Sequence, residues 1–272
     1  MDKGLEKIMS RNGLTEEEVV NIIRSSKAKP SKSVNLPISG KSFQYAYVSD
    51  THIGCKEFML PLWDKFVKMV RLNKPDFIVH PGDHLEGMSN RPGHVYELTH
   101  VGFEAQIHEA ARLYNQLGVP MYGVDGNHDG WYFKKADHGV VVGQHLEDLV
   151  KDYHHLGQME GDVVVKNISI KLFHANDGSA YSTSYKLQKL VESFSGGKKP
   201  EIVHSGHYHK SLYMFCRNVH AFESATLCGQ TEWMRGKKIQ AHPGFGFVTV
   251  YHDKHGVDRL VHEFVPGYEG RM

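Results

Sequence analysis

Five times along this chain a short apolar run of strand character stops at residues able to bind a cation. Ser49-Asp50-Thr51-His52 follows Phe43 to Val48, and Gly82-Asp83-His84-Leu85-Glu86 follows Phe77-Ile78-Val79. Val119 to Val124 leads into Asp125-Gly126-Asn127-His128-Asp129. His174 ends Ile168 to Phe173, and Ser205-Gly206-His207-Tyr208-His209 follows Ile202-Val203. Short runs rich in β-branched and aromatic residues read as strands. Helical periodicity lies between them, in Phe58, Leu62, Trp63, Phe66, Val67 and Val70, in Phe103, Ile107, Ala110, Ala111 and Tyr114, and in Tyr185 to Phe194. Leu146, Leu149 and Val150 suggest a further helix. The tail turns to β structure at Leu212 to Phe215, Ala221 to Leu227, and a hairpin of Phe245 to Tyr251 with Val257 to Val265. This order implies α/β layers with a mixed sheet completed by C-terminal strands.

In an open α/β sheet, ligands bind beyond the carboxyl ends of the strands. One acidic strand end is explained by a cap or an ion pair, but five in succession are not. Carboxylates and imidazoles gathered at one sheet edge would destabilise each other without a cation. A metal site removes that conflict, because both groups are natural ligands. Gly82, Gly126 and Gly206 each precede a candidate ligand, where sharp turns and close backbone approach are needed. The total of 20 histidines carries little by itself, and isolated ones such as His100 and His220 are read as ordinary.

The ordered series Asp50-Thr51-His52, Gly82-Asp83, Gly126-Asn127-His128-Asp129, His174 and Gly206-His207-Tyr208-His209 resembles the motifs of the calcineurin-like metallophosphoesterases, over roughly residues 43 to 251. The resemblance implies a four-layer α/β-β/α sandwich and two divalent cations, manganese first, with iron, zinc and nickel as alternatives. Asp50, His52 and His209 would bind one ion, Asn127, His174 and His207 the other, with Asp83 bridging. His174 rests on the thinnest signal, a single residue. In such hydrolases the paired ions activate water and clamp the phosphate for in-line displacement. His128 would contact phosphate or protonate the leaving alkoxide. Asp129 would orient His128 or nearby backbone.

Protein phosphatases of that family carry an arginine shortly after the bridging Asp. Here Gly82 to Gly87 has none, which weakens the protein-phosphatase reading and leaves His84 as a candidate substrate contact or a loop hydrogen-bond partner. Asp50 to Phe58 also resembles the first motif of archaeal family-D DNA polymerase small subunits and, less closely, SbcD-type DNA exonucleases. Those polymerase subunits carry an oligonucleotide-binding barrel before this domain. With about 40 residues there, this chain is not expected to be a full equivalent. Gly229 to Lys238 resembles phage and archaeal DNA-exonuclease-like members. In that run Trp233 could stack on a base while Arg235, Lys237 and Lys238 meet phosphates; a solvated loop is the alternative. Trp131, Tyr132 and Phe133 either wall a substrate pocket or pack in the core, and Cys55 reads as a small buried residue.

Composition bounds the rest. The 272 residues are 40% hydrophobic, enough for one good core. A net charge of +1 neither announces nor excludes a nucleic-acid binder. The charged start, the lack of a long apolar run and three cysteines without C-x-x-C spacing suggest a cytoplasmic protein with no membrane span and no structural disulfide. Residues 1–40 read as an appendage of two short helices and a basic linker, able to bind a protein partner or a second copy, and 41–272 as the phosphoesterase domain. The expected activity is a phosphodiesterase or nuclease on DNA or RNA. A small-molecule phosphatase or cyclic-nucleotide phosphodiesterase, and a non-catalytic nucleic-acid-binding subunit, are the alternatives.

Overall fold

The computed structural model describes Arg11, Gly13, Thr15 and residues 31–134 and 139–268. The expected helices of the first 24 residues therefore lie outside the described residues. The order is β1 (Ser33–Leu36), β2 (Ser42–Tyr47), α1 (Leu60–Asn73), β3 (Phe77–His80), α2 (Phe103–Tyr114), β4 (Met121–Val124), α3 (Gly130–Lys134), α4 (Val142–Leu149), β5 (Tyr153–Gly157), β6 (Glu160–Val165) and β7 (Ile168–His174). Then follow α5 (Tyr185–Ser193), β8 (Ile202–Gly206), β9 (Ser211–Cys216), β10 (Val219–Ser224), α6 (Glu232–Gly236), β11 (Gly244–Asp253) and β12 (Gly256–Pro266). One sheet runs β1-β6-β7-β8-β10-β9 and the other β12-β11-β2-β3-β4-β5.

The strand alternation builds the layers. Phe43, Tyr45 and Tyr47 of β2 and Phe77 and Val79 of β3 pack with Val163, Ile170, Leu172 and Ile202 of the other sheet in a shared core. Their neighbours Ala46, Val48 and Ile78 face the other way and join Leu62, Phe66 and Val70 of α1, Ile107 and Ala110 of α2 and Leu146 of α4. On the far side Leu187 and Val191 of α5 cover Val203, Val219 and Ala221. The result is the four-layer α/β-β/α sandwich.

Ser33–Leu36, expected at the end of the polar appendage, forms an edge strand parallel to β6. Val34 and Leu36 pack on the inter-sheet core, so the domain begins before residue 40. The four-residue alternation Ser-Val-Asn-Leu was too short, beside a lysine-rich run, to be read as a strand. No helix among the described residues is long and apolar enough to cross a membrane.

One charge sits badly in this frame. Glu223 on β10 is 2% exposed, and neither carboxylate oxygen has a hydrogen-bond partner among the described residues. Burial pushes its pKa up to about 7, with Lys210 only partly opposing. The folded protein thus holds this proton more tightly than the unfolded chain. Stability from this group is complete below the ordinary carboxylate pKa and is lost as pH rises towards 7. Glu223→Gln removes the ionisation, so it should stabilise the fold by about 1–3 kcal/mol at pH 8, with the gain shrinking steeply towards pH 5. Urea unfolding midpoints at the two pH values check this; an equal effect at both would mean that ionisation is not the cause.

Candidate metal centre

The polar strand ends meet at one edge of the sandwich. Strands β2, β3 and β4 are parallel neighbours, as are β7 and β8, so five carboxyl ends open on one side. Each loop must turn sharply to aim its side chains back. Asp50, His52, Asp83, His207 and His209 all have left-handed backbone, with φ of 47°, 47°, 55°, 93° and 54°. Such residues cost on the order of 1–3 kcal/mol each and persist only where surrounding structure holds them. Backbone bonds do part of this, from Asp50 N to Gly82 O at 3.1 Å and from His52 N to Asp83 O at 3.2 Å. Two glycines permit the approach. A Cβ on Gly126 would collide with the Asp83 carboxylate, and one on Gly82 with the His174 ring.

Ligand-type atoms gather in overlapping sets. Those of Asp50, His52 and His209 lie within 4.8 Å of one another, as do those of Asp83, His174 and His207, and those of His52, Asp83 and His128. Asp83 joins the sets, its Oδ2 3.7 Å from His52 Nε2 and 3.3 Å from His174 Nε2. Asn127 Oδ1 lies 3.0 Å from His174 Nε2 and 2.7 Å from His207 Nδ1. All seven candidate ligands are thus brought together.

The outward hydrogen bonds test whether a cation fits. His52 Nδ1 donates to Glu86 Oε2 at 2.8 Å, His174 Nδ1 to Pro81 O at 2.8 Å, and His207 Nε2 to Asp177 O at 2.8 Å. These acceptors keep a proton on the outer nitrogen of each ring, so the inner nitrogen faces the centre, where a cation in place of its proton would meet a lone pair. His52 Nε2 faces His209 Nε2 at 2.9 Å, a spacing suited to two imidazoles sharing an ion at about 2.0–2.1 Å. Lone pairs and carboxylates aimed at each other in a buried site call for positive charge between them. The proton affinities agree. Burial lowers the pKa of His52, but the Glu86 hydrogen bond and the charges of Glu86, Asp83 and Asp50 outweigh it and hold the pKa at about 10. Burial likewise opposes, and Asp83 and Asp50 outweigh, at His174, held at about 9. Burial lifts Asp50 to about 6 despite the nearby His174 charge. His207 falls to about 4 through burial and the His174 charge. The donor set fits divalent cations.

A cavity of 460 Å³ opens above this centre. His128 lines it; its backbone N donates to Asp83 Oδ1 at 2.8 Å and its Nδ1 to Glu86 O at 2.8 Å. Burial lowers its pKa against the pull of Asp83 and Glu86. Asp129 is buried and accepts from the backbone N of His84, Leu85 and Gly126, so it holds the Asp83 loop against the Asn127 loop rather than touching substrate. Trp233 and Trp131 line the cavity, the latter with its ring centroid 3.9 Å from that of His128. Tyr132 is in the core against Phe103. Arg235, Lys237 and Lys238 are exposed and outside the cavity lining. Cys55 is buried.

His84 requires a correction. As a substrate contact it would have to reach the cavity, but it is fully buried beneath the centre. Its ring bonds the hydroxyls of Tyr114 and Tyr153 at 2.9 Å and the Val124 carbonyl, and burial lowers its pKa to about 4. It braces the loop.

Other groups carried a weak sequence signal or none. Glu86 links His52 to His94, whose Nε2 donates to Oε1 at 2.9 Å; the clue was its place three residues after Asp83. Arg91 lines the cavity in a forked pair with Glu97, at 2.9 and 2.6 Å. Nothing in an irregular loop marked it.

Comparison with known proteins agrees with this geometry. The family model described as calcineurin-like phosphoesterase matches residues 43–229. The chain is 25% identical to the DNA polymerase II small subunit of Archaeoglobus fulgidus, over 83% of this chain and 55% of that one. It is 23% identical to the DNA polymerase II small subunit of Methanothermobacter thermautotrophicus, over 71% and 49%. It thus spans about half the length of these curated relatives. A solved structure described as a novel archaeal phosphodiesterase matches 82% of this chain and 99% of its own, at 13% identity and a TM-score of 0.50, a likeness of fold.

Gly126→Ala should push the Asp83 carboxylate aside and cut bound metal, read by elemental analysis after dialysis against limiting manganese, with the melting temperature as a folding control. Asp83→Asn should do at least as much. Full metal retention in a folded Gly126→Ala protein would show that Asp83 is not a ligand.

Proposed function

The chain belongs to the calcineurin-like phosphoesterases, and on that premise we propose that it is a metal-dependent phosphodiester hydrolase acting on nucleic acid. The observation that carries the reading is His128. Its main chain is tied to Asp83 and its Nδ1 to the Glu86 carbonyl. That leaves Nε2 for the substrate, beside the carboxylate expected to join two ions. Asp50, His52 and His209 would hold one divalent cation and Asn127, His174 and His207 the other, with Asp83 between. Bound there, they would supply Lewis acidity to the phosphate. Mixed carboxylate, amide and imidazole donors suit manganese, iron, zinc or nickel better than calcium.

The chain's own groups do the rest. A buried imidazole of lowered pKa surrenders a proton readily, so a proton taken up at His128 Nε2 with the anionic substrate passes to the leaving sugar oxygen. An alkoxide needs that proton to depart. Arg91 is the one Lys or Arg of the cavity lining among the described residues, and Glu97 already neutralises it. The cleft therefore offers no spare cation for the second charge of a monoester, which favours a diester. Arg235, Lys237 and Lys238 lie just beyond Trp233 and would meet neighbouring phosphates.

A second reading follows from the relatives' description as small subunits of a DNA polymerase. The chain would then work within an assembly. Intact ligands and His128 favour retained hydrolysis, which an activity assay decides.

With manganese, bis-p-nitrophenyl phosphate should be hydrolysed faster than p-nitrophenyl phosphate, and excess chelator should abolish both reactions. Faster monoester turnover would promote the small-molecule phosphatase reading, and no turnover with either ester the accessory-subunit reading. His128→Ala should keep its metal and lose about 10²–10⁴-fold in rate on an oligonucleotide, less on the ester whose p-nitrophenolate leaves unaided. Equal losses on both would exclude His128 as the proton donor.

A further inference from the structure

Three separate loops wall the cavity, and each also exposes an aromatic ring. The loop after β3 contributes His94 and Glu97 to the lining, and between them Tyr96 is 77% exposed. The loop after β7 contributes Asp177, Gly178 and Ser179, and two residues on Tyr181 is fully exposed. The short helix α6 contributes Met234, and beside it Trp233 is 44% exposed while still lining the cavity. Since successive Cα atoms are 3.8 Å apart, Tyr96 and Tyr181 lie within about two residue lengths of the cavity wall. Large aromatic side chains left in water cost the fold burial that it could have used. That three loops of independent origin each spend one at the rim of one cavity is not explained by core packing.

We infer that the rim is a stacking platform for unpaired bases, so that the substrate is single-stranded nucleic acid rather than a duplex. This deepens the proposed phosphodiesterase reading and rests on it. Every base has a π-face, so stacking on Tyr96, Tyr181 and Trp233 holds a strand without regard to its sequence. In a duplex those faces are covered by the neighbouring pairs, and the rings would have to prise them apart. Charge is placed to match. Lys210 is anchored to the β7 loop through Ala180 O and has no carboxylate partner there among the described residues, whereas Lys186 is paired with Asp177. Arg235, Lys237 and Lys238 follow Trp233. Phosphates of a strand lying across the rings would meet cations on two sides of the cavity mouth, while the cavity itself, with its one neutralised arginine, takes the scissile phosphate.

Binding of fluorescein-labelled dT and rU oligonucleotides, read by anisotropy, tests this without requiring turnover. The two labels separate DNA from RNA as the source of the strand. Either single strand should bind at least tenfold more tightly than a duplex of the same length. Tyr96→Ala and Tyr181→Ala should each weaken single-strand binding by roughly 5- to 100-fold, the range expected for one stacked base. Tyr96→Phe and Tyr181→Phe should bind as the parent does, because the ring and not the hydroxyl is used. Both side chains are exposed, so thermal melting should be unchanged in all four variants. Duplex binding as tight as single-strand binding, or alanine variants that bind like the parent, would overturn the platform. A preparation that hydrolyses bis-p-nitrophenyl phosphate yet ignores oligonucleotides would overturn it too, while leaving the phosphodiesterase reading intact.

Discussion

The structure is organised around electron pairs that point at each other. Asp83 presents its carboxylate to His52 from one loop and to His174 from the other sheet, while Asn127 faces His174 and His207. Buried acceptors at these distances repel unless a positive charge lies between them. Holding them there also requires left-handed backbone at five non-glycine residues. The two sheets, the glycines that let Asp83 and His174 close in, and the hydrogen bonds behind the His52, His174 and His207 rings are what keep so unfavourable an arrangement from relaxing. A fold that tolerates this is a fold built to hold a cation.

The support is layered. Directly behind the ligands, Glu86, the Pro81 carbonyl and the Asp177 carbonyl set which nitrogen of each ring faces inward. Behind the loops, Asp129 collects three backbone donors. Beneath them Thr51, His84, Tyr114 and Tyr153 form a buried polar network linking the first two loops to α2 and β5. A network satisfied in this way rigidifies its surroundings, so the loops that carry the candidate ligands are braced from beneath.

How much of this was legible in the sequence depended on scale. Strand runs ending in Asp, Asn or His could be read because one-dimensional order maps onto the carboxyl edge of a sheet, and the candidate ligands come together at that edge. His84 shows the limit of that map: of its two readings, substrate contact and loop partner, the structure supports the second. It follows Asp83, but the left-handed turn at Asp83 reverses the chain and buries the next side chain under the loop. Chain adjacency to a ligand does not imply a shared direction. Glu86, Arg91 and Asp177 act through loops whose path depends on tertiary contacts, and β1 is too short for periodicity to reveal. Trp233 was noticed as an aromatic among cations, but only the cavity shows that Met234 joins it while Arg235 does not.

The charge of the cleft ties binding to chemistry. Asp50, Asp83, Glu86, Glu97 and Asp177 surround it, and Arg91 is the one fixed cation of the lining. Lys186 is paired with Asp177, so five carboxylates against Arg91 and Lys186 leave three negative charges when the histidines are neutral, and a cleft of that charge disfavours phosphate. Two divalent cations, if bound as proposed, would leave the site with about one positive charge. On that proposal a phosphodiester would find its single charge matched, whereas a monoester dianion would find nothing to meet its second. In the proposed reaction metal would then serve binding as well as bond breaking, because the metal-free cleft is negative. Affinity for a polymer must come from outside the cleft, from rings and cations at its mouth, where binding energy remote from the scissile bond can be used to align it.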